Sequence, residues 1–133
     1  MTHEHQHYMK IAIRLSYEGL GLTAPNPSVG CVIIKDGRIL ATGVTQKSGR
    51  PHAEVVALEE AGDEARGATA YVTLEPCSHH GKTPPCADAL IKAGIKTVVV
   101  AVNDVNPQVN GNGIAALRAS GIEVIEDVCR DEA

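Results

Sequence analysis

The chain has 133 residues, of which 44% are hydrophobic, and a formal net charge of −4 at pH 7. It is long enough for one domain, but it has no Phe or Trp, so its core must be built mainly from aliphatic side chains. No basic run supports binding to nucleic acid, no apolar run reaches membrane-spanning length, and no signal peptide is recognisable, so we expect a cytoplasmic protein.

The first half of the chain predicts a helix followed by a β-hairpin. Apolar side chains at helical spacing predict a helix over residues 5–20, and the His-rich opening residues are interpreted as a frayed, solvated terminus. Pro25-Asn26-Pro27 predicts a rigid loop, because each proline fixes its own backbone and restrains its neighbour. Residues 29–35 predict a strand, and Asp36-Gly37 indicates a tight turn into a second strand over residues 39–44.

The second half alternates helices and strands. Helices are predicted over residues 52–61, 86–93 and 113–119, and strands over residues 70–74, 97–102 and 122–125. Val98-Val99-Val100 is too apolar to face water, so its strand should be central in the sheet. This alternation after an opening hairpin indicates a three-layer α/β domain around a mixed sheet.

Four residues carry the strongest chemical signal. His52 stands two positions before Glu54, and Cys77 and Cys86 follow some two dozen residues later. One imidazole and two thiolates are the ligands of a catalytic zinc site that keeps a fourth position open for water. A carboxylate that is not a ligand can then move protons to and from that water. The pattern therefore predicts a zinc-dependent hydrolytic deaminase.

The cysteines and histidines also allow other interpretations. A structural zinc site is the main alternative, with His79 or His80 as the fourth ligand. Four cysteines permit two disulfides, but metal ligation suits the two spaced cysteines better because no secretory signal is present. Cys31 lies within an apolar strand and is expected to be a small buried hydrophobic residue. Cys129, near the acidic C-terminus, has no predicted partner.

The spacing of the two cysteines separates members of the zinc deaminase superfamily. Base deaminases typically keep Pro-Cys-x-x-Cys, whereas eight residues lie between Cys77 and Cys86 here. This longer loop resembles the pyrimidine deaminase of riboflavin biosynthesis. The resemblance covers nearly the whole chain, including Pro25-Asn26-Pro27 and residues 29–33 and 103–107. It implies a cytidine deaminase-like fold, with three α/β/α layers and a central mixed five-stranded sheet.

The resemblance also implies roles for individual residues. The family's zinc ligands match His52, Cys77 and Cys86. Its catalytic proton shuttle matches Glu54. The matches to substrate contacts are Asn26 for the pyrimidine, His79 and Lys82 in the long loop, and Asp104 and Asn106 near the ribose and phosphate. Each substrate contact has a purely structural alternative, such as shaping or capping a turn. Where the family often has a histidine near the phosphate, this chain has Thr45, which donates a hydrogen bond but carries no charge.

The predicted reaction is the hydrolytic deamination of diaminohydroxyphosphoribosylaminopyrimidine, a small aminopyrimidine phosphate, with zinc as the cofactor. The alternatives are a stand-alone deaminase of another base, nucleoside or specialised pyrimidine metabolite, and a non-catalytic zinc module that partners a separate reductase. Residues 1–133 are expected to form a single deaminase domain, with no reductase domain. The resemblance also implies a homodimer or a larger assembly.

Overall fold

The computed structural model describes residues 2–18, 29–44, 53–74, 86–102 and 112–129. Its elements, in chain order, are α1 (Thr2–Glu18), β1 (Gly30–Lys35), β2 (Arg38–Val44), α2 (Ala53–Ala61), β3 (Thr69–Leu74), α3 (Cys86–Ala93), β4 (Thr97–Val102), α4 (Asn112–Ala119) and β5 (Glu123–Ile125). A short 3₁₀ helix, Gly62–Ala65, directly follows α2. The predicted order of helices and strands is therefore confirmed, with small differences at the boundaries.

A five-stranded sheet with the order β2-β1-β3-β4-β5 forms the middle layer. β1 pairs antiparallel with β2 and β3, whereas β3, β4 and β5 run parallel to one another. The sheet is therefore mixed, as predicted. β4 lies between two other strands, and Val98, Val99 and Val100 are fully buried, which confirms that this apolar strand is interior.

The hairpin of β1 and β2 turns at Asp36 and Gly37, as the sequence predicts. Both residues have positive φ, 53° and 75°, which is the combination that a two-residue turn between twisted strands favours. The register of the hairpin then shifts between Ile33 and Ile34. Beyond this irregularity, Gly43 of β2 lies opposite Cys31 of β1.

Helices cover both faces of the sheet and complete the three layers. One face packs against α2, α3 and α4, whose fully or nearly buried side chains in this core include Ala53, Ala57, Ala61, Ala87, Leu90, Ile114 and Leu117. The other face packs against α1, through Met9, Ala12 and Ile13. The predicted α/β/α arrangement is therefore confirmed, and both cores are built almost entirely from aliphatic side chains, as the composition requires.

The N-terminal segment is helical, whereas the sequence predicts a frayed terminus. α1 begins at Thr2, and Nδ1 of His5 lies 2.7 Å from the hydroxyl oxygen of Tyr71. The ring of Tyr8 also packs against that of Tyr71, with 5.4 Å between the centroids. The expected fraying is wrong, because the sequence does not show that β3 presents a buried tyrosine to this end of α1. The expected solvation is confirmed for Glu4, Gln6 and His7, which are exposed. Within the described ranges, neither α1 nor any other helix is long and apolar enough to cross a membrane.

Candidate active site

Four strand ends meet at one end of the sheet, which we call the carboxyl end. The register pairs Gly30 at the start of β1 with Val44 at the end of β2. It also pairs Leu74 at the end of β3 with Val102 at the end of β4. The antiparallel pairing of β1 with β3 brings both pairs to the same side. In open α/β sheets, this is the end at which binding sites usually form.

The helices α2 and α3 both begin at the carboxyl end. The first turn of α2 lies against Gly43, close to the end of β2. α3 connects the parallel strands β3 and β4, so it must start where β3 ends and run back toward the start of β4. α2 and α3 also contact each other on the same face of the sheet. Their first turns therefore lie at the same end of the domain.

Glu54 is buried in the first turn of α2. Only 4% of its surface is exposed, and its spacing along the helix places it on the same buried face as Ala57 and Ala61. Glu59, on the opposite face of the same helix, is exposed. Buried glutamates are rare in folded proteins, and this one lies at the end of the sheet where binding sites usually form. Burial at this end of the sheet therefore marks Glu54 as a candidate catalytic group.

Cys31 lies close to Glu54 in the same core. Burial raises the pKa of the Cys31 thiol well above its usual value, and the Glu54 carboxylate raises it further. Such a thiol stays protonated at neutral pH, so it is unsuited to act as a nucleophile. The prediction that Cys31 is a small buried residue is confirmed, and the structure adds that it neighbours the candidate catalytic carboxylate.

Most of the other predicted site residues lie outside the described residues. These are Asn26, Thr45, His52, Cys77, His79, Lys82, Asp104 and Asn106. Cys86 is placed by its backbone, as the first residue of α3. Among the described side chains, no three His, Cys, Asp or Glu residues form a group that could hold a metal ion. The assignments to zinc and substrate therefore stay predictions.

Chain connectivity nevertheless relates all of these residues to the carboxyl end. Asn26 precedes β1, Thr45 follows β2, His52 precedes α2, Cys77, His79 and Lys82 follow β3, Cys86 begins α3, and Asp104 and Asn106 follow β4. Each segment is joined at this end to a described strand or helix. The spacing of the residues along the chain could not reveal that these segments are all joined to the same end of the sheet. That relation depends on the directions in which the strands pair.

The donor set suits a catalytic zinc ion. It offers one imidazole and two thiolates. A separate carboxylate, that of Glu54, is buried in the first turn of α2, which directly follows His52 in the sequence. Three protein ligands leave a fourth position for water, whereas a closed structural site needs a fourth ligand. The residues present therefore fit the metal that the sequence predicts.

Two residues at the carboxyl end were not predicted to matter. Thr73, 6% exposed in β3, accepts a hydrogen bond at its Oγ1 from the backbone N–H of Gly30, with 3.1 Å between the two atoms. Gly43 lets α2 approach β2 closely. An isolated glycine within a strand pattern can mark such an approach, so Gly43 was detectable in principle. Nothing in the sequence signals the bond to Thr73.

Comparisons with known proteins agree with this fold. Residues 2–102 match the family model of the cytidine and deoxycytidylate deaminase zinc-binding region. The riboflavin biosynthesis protein RibD of Aquifex aeolicus (strain VF5) is 55% identical over 128 residues, which are 96% of this chain and 36% of that protein. The diaminohydroxyphosphoribosylamino-pyrimidine deaminase of Buchnera aphidicola subsp. Schizaphis graminum is 53% identical over 117 residues, which are 88% of this chain and 80% of that protein.

A solved structure, RibD of Acinetobacter baumannii in form 1, superposes with a TM-score of 0.96 at 54% identity. It covers 99% of this chain, whereas this chain covers 37% of that one. The chain therefore spans well under two thirds of the Aquifex and Acinetobacter proteins, and most of the shorter Buchnera deaminase. With most of its length matched by the family model, the chain belongs to the cytidine and deoxycytidylate deaminase family, whose matched region binds zinc.

Proposed function

We propose that this domain catalyses the zinc-dependent hydrolytic deamination of diaminohydroxyphosphoribosylaminopyrimidine in riboflavin biosynthesis, with release of ammonia. The observation that carries the proposal is the burial of Glu54 in the first turn of α2, at the carboxyl end of the sheet. Membership of a zinc-binding deaminase family supports the reaction. The identity of 53% to a deaminase named for this substrate supports the choice of substrate.

His52, Cys77 and Cys86 would hold the zinc ion. His52 directly precedes α2, and Cys86 begins α3, where the positive end of the helix dipole favours a thiolate. When bound, zinc supplies a water molecule that is activated near neutral pH. A purely structural site is disfavoured, because it has no use for a carboxylate two positions after the histidine ligand.

Glu54 would carry out the proton transfers. Its carboxylate accepts a proton as the water oxygen bonds to the ring carbon that carries the amine. It then delivers a proton to the amine nitrogen as the carbon–nitrogen bond breaks and ammonia leaves. The reaction consumes one water and needs no oxidant or reductant. One carboxylate can serve both transfers, because the incoming oxygen and the leaving nitrogen share the same carbon atom.

The remaining predicted residues would bind the substrate. Asn26 would hold the pyrimidine through its amide, and His79 and Lys82 would contact the substrate from the long loop. Asp104 and Asn106 would lie near the ribose and phosphate, with Thr45 at the phosphate end. Lys82 would supply a positive charge to the phosphorylated substrate, whereas Thr45 would supply only a hydrogen bond.

A deaminase of another aminated heterocycle is the second candidate. It is favoured by Thr45, which stands where the family often has a histidine. Loss of that imidazole removes one group able to carry positive charge near the phosphate. A substrate with a weaker requirement for phosphate recognition, such as a free base or a nucleoside, would tolerate the change. Direct comparison of phosphorylated and dephosphorylated substrates separates the two candidates.

We also propose that the protein is cytoplasmic, that it forms a homodimer or a larger oligomer, and that a reductase acts with it in the same pathway. Analytical ultracentrifugation tests the assembly, with a monomer at micromolar concentration as the contrary result. Co-purification tests whether the reductase associates physically.

The substitution Glu54→Gln tests the catalytic role directly. It keeps the size of the side chain but removes its ability to accept a proton, so we expect ammonia release to fall by at least about a hundredfold while zinc stays bound. Glu59→Gln is the matched control, because it makes the same change on the exposed face of the same helix. Retained turnover in zinc-loaded Glu54→Gln would exclude the proposed role.

A further inference from the structure

We propose that Gly43 is a positioning residue for Glu54, because its lack of a side chain lets the first turn of α2 rest on the backbone of β2. This contact would set the location of the Glu54 carboxylate relative to the reacting carbon of the substrate. The inference rests on the proposed function only for the chemical role of Glu54. The contact itself is a feature of the fold.

The space around Gly43 is closed by backbone atoms. A Cβ built on Gly43 would lie 2.3 Å from the carbonyl oxygen of Ala53 and 2.8 Å from the amide nitrogen of Ala57. Rotation of a side chain cannot relieve either contact. Ordinary contact begins at 3.4 Å, so the first turn of α2 would have to retreat by about 1 Å. Gly43 does not have a positive φ, so this position needs glycine for space rather than for conformation.

The two contacts bracket the candidate catalytic residue. Ala53 directly precedes Glu54 and directly follows His52, and Ala57 lies one turn further along α2. A shift of this turn therefore moves the Glu54 carboxylate and the backbone that carries the predicted zinc ligand. No adjustment of a neighbouring side chain can compensate for both displacements.

The cross-strand partner of Gly43 also faces this turn. Cys31 is paired with Gly43 in the hairpin and is fully buried. It lies close enough to Glu54 for that carboxylate to raise the pKa of its thiol. The first turn of α2 therefore rests on one position without a side chain and one with a small side chain. A larger residue at either position would push the carboxylate away from the sheet.

A second attachment limits how α2 could adjust. The backbone N–H of Thr42 donates a hydrogen bond to Oε1 of Glu60, near the end of α2, with 3.2 Å between the atoms. The far end of the helix is thus attached to the residue next to Gly43. Crowding at the first turn would therefore tilt that turn outward rather than move the whole helix as a rigid body.

The domain offers matched controls. Gly30, on the adjacent strand, approaches α1 on the opposite face, where an added Cβ would lie 2.0 Å from the carbonyl oxygen of Ala12. Gly30→Ala therefore makes the same chemical change against a different helix. Leu117, fully buried in α4, lies near the opposite end of the sheet, and Leu117→Ala leaves a cavity there. Both controls lower stability without crowding α2.

The experiment compares Gly43→Ala with these controls and the wild-type protein. Thermal unfolding measures stability, chelator competition measures the zinc dissociation constant, and steady-state kinetics well below the unfolding temperature separate kcat from KM. For folded Gly43→Ala we expect kcat to fall about a hundredfold with little change in KM, because a displacement of about 1 Å has that effect on a catalytic group. We also expect zinc to bind about tenfold more weakly, as for other changes in groups that orient a ligand.

Leu117→Ala should lose stability but keep its zinc affinity and its kcat, and Gly30→Ala should lose stability. The proposal is overturned if folded Gly43→Ala keeps both kcat and zinc affinity, or if every variant loses kcat in proportion to its loss of stability. If Gly43→Ala does not fold, Cys31→Val replaces it, since it crowds the same turn from β1. Cys31→Val should then lower kcat in a folded protein, and an unchanged kcat overturns the proposal.

Failure of the proposed function gives a different result. In that case the zinc-loaded wild-type protein does not turn over the aminopyrimidine phosphate at all. Zinc affinity then decides the positioning proposal alone, with weaker binding in Gly43→Ala than in Leu117→Ala as the supporting outcome and equal binding as the contrary one.

Discussion

Replacing Thr73 by valine should destabilise the domain, because it takes the side-chain acceptor away from one buried backbone N–H. Thr73 is 6% exposed, and its Oγ1 accepts a hydrogen bond of 3.1 Å from the N–H of Gly30. This bond joins the start of β1, just after Asn26, to the end of β3, just before Cys77. It therefore ties together two of the segments that carry predicted site residues.

The magnitude follows from what the substitution leaves behind. Valine keeps the shape of threonine but offers no acceptor, so the buried N–H of Gly30 loses this partner. An unsatisfied buried donor costs about 1–3 kcal/mol of unfolding free energy. Thr73→Ser is the matched control, because it keeps the hydroxyl and loses only a methyl group, worth about 0.8 kcal/mol.

Two measurements check this expectation. Urea unfolding at a fixed zinc concentration gives the loss of stability, since ligand binding otherwise shifts the transition. Amide hydrogen exchange of Gly30 reports the bond itself, and it should accelerate in Thr73→Val but not in Thr73→Ser. The reasoning is refuted if Gly30 exchanges at the wild-type rate in Thr73→Val and the protein unfolds at the wild-type urea concentration.

Three further predictions concern pH, metal and substrate binding. Burial, with smaller effects of Glu4 and Tyr8, raises the pKa of Tyr71 to about 12, above the unfolded value of about 10. The neutral phenol therefore stabilises the fold below about pH 10, and this contribution is lost as the pH rises toward 12. An ultraviolet titration should show an ionisation near pH 12 that Tyr71→Phe lacks. If that ionisation persists in Tyr71→Phe, it does not belong to Tyr71. Removing zinc with a chelator should lower the melting temperature, because zinc binds only the folded site tightly, and an unchanged temperature would argue against a zinc site in the fold. Lys82→Gln should raise KM for the phosphorylated substrate at least about tenfold, with a smaller effect on kcat. The control Lys92→Gln, on the exposed surface of α3, should change neither. Equal KM values for wild type and Lys82→Gln would show that Lys82 does not contact the substrate.

The sequence predicts those parts of the fold that depend on local patterns. Asp36-Gly37 identifies the hairpin because few residue pairs accept positive φ at both positions. The run from Val98 to Val100 identifies an interior strand because its side chains leave no face for water. The spacing of His52 and Glu54 places the candidate carboxylate at the beginning of a helix, and the structure has α2 begin between them.

Features that depend on long-range pairing could not be predicted in this way. The contact of Gly43 with Ala53 follows from the close approach of α2 to an edge strand, and the bond from Gly30 to Thr73 follows from the register of β1 with β3. The interaction of His5 with Tyr71 joins residues that are 66 positions apart. Each contact requires knowledge of which elements are neighbours, which residue spacing alone does not supply.

The central claim is best tested by following the reaction in water enriched with heavy oxygen. Zinc-loaded wild-type protein is incubated with diaminohydroxyphosphoribosylaminopyrimidine, and ammonia and the mass of the product are measured together. One solvent oxygen should enter the product for each ammonia released, and Glu54→Gln with bound zinc should form almost none. A product without solvent oxygen, or no product from folded, zinc-loaded wild type, would contradict the proposed deamination.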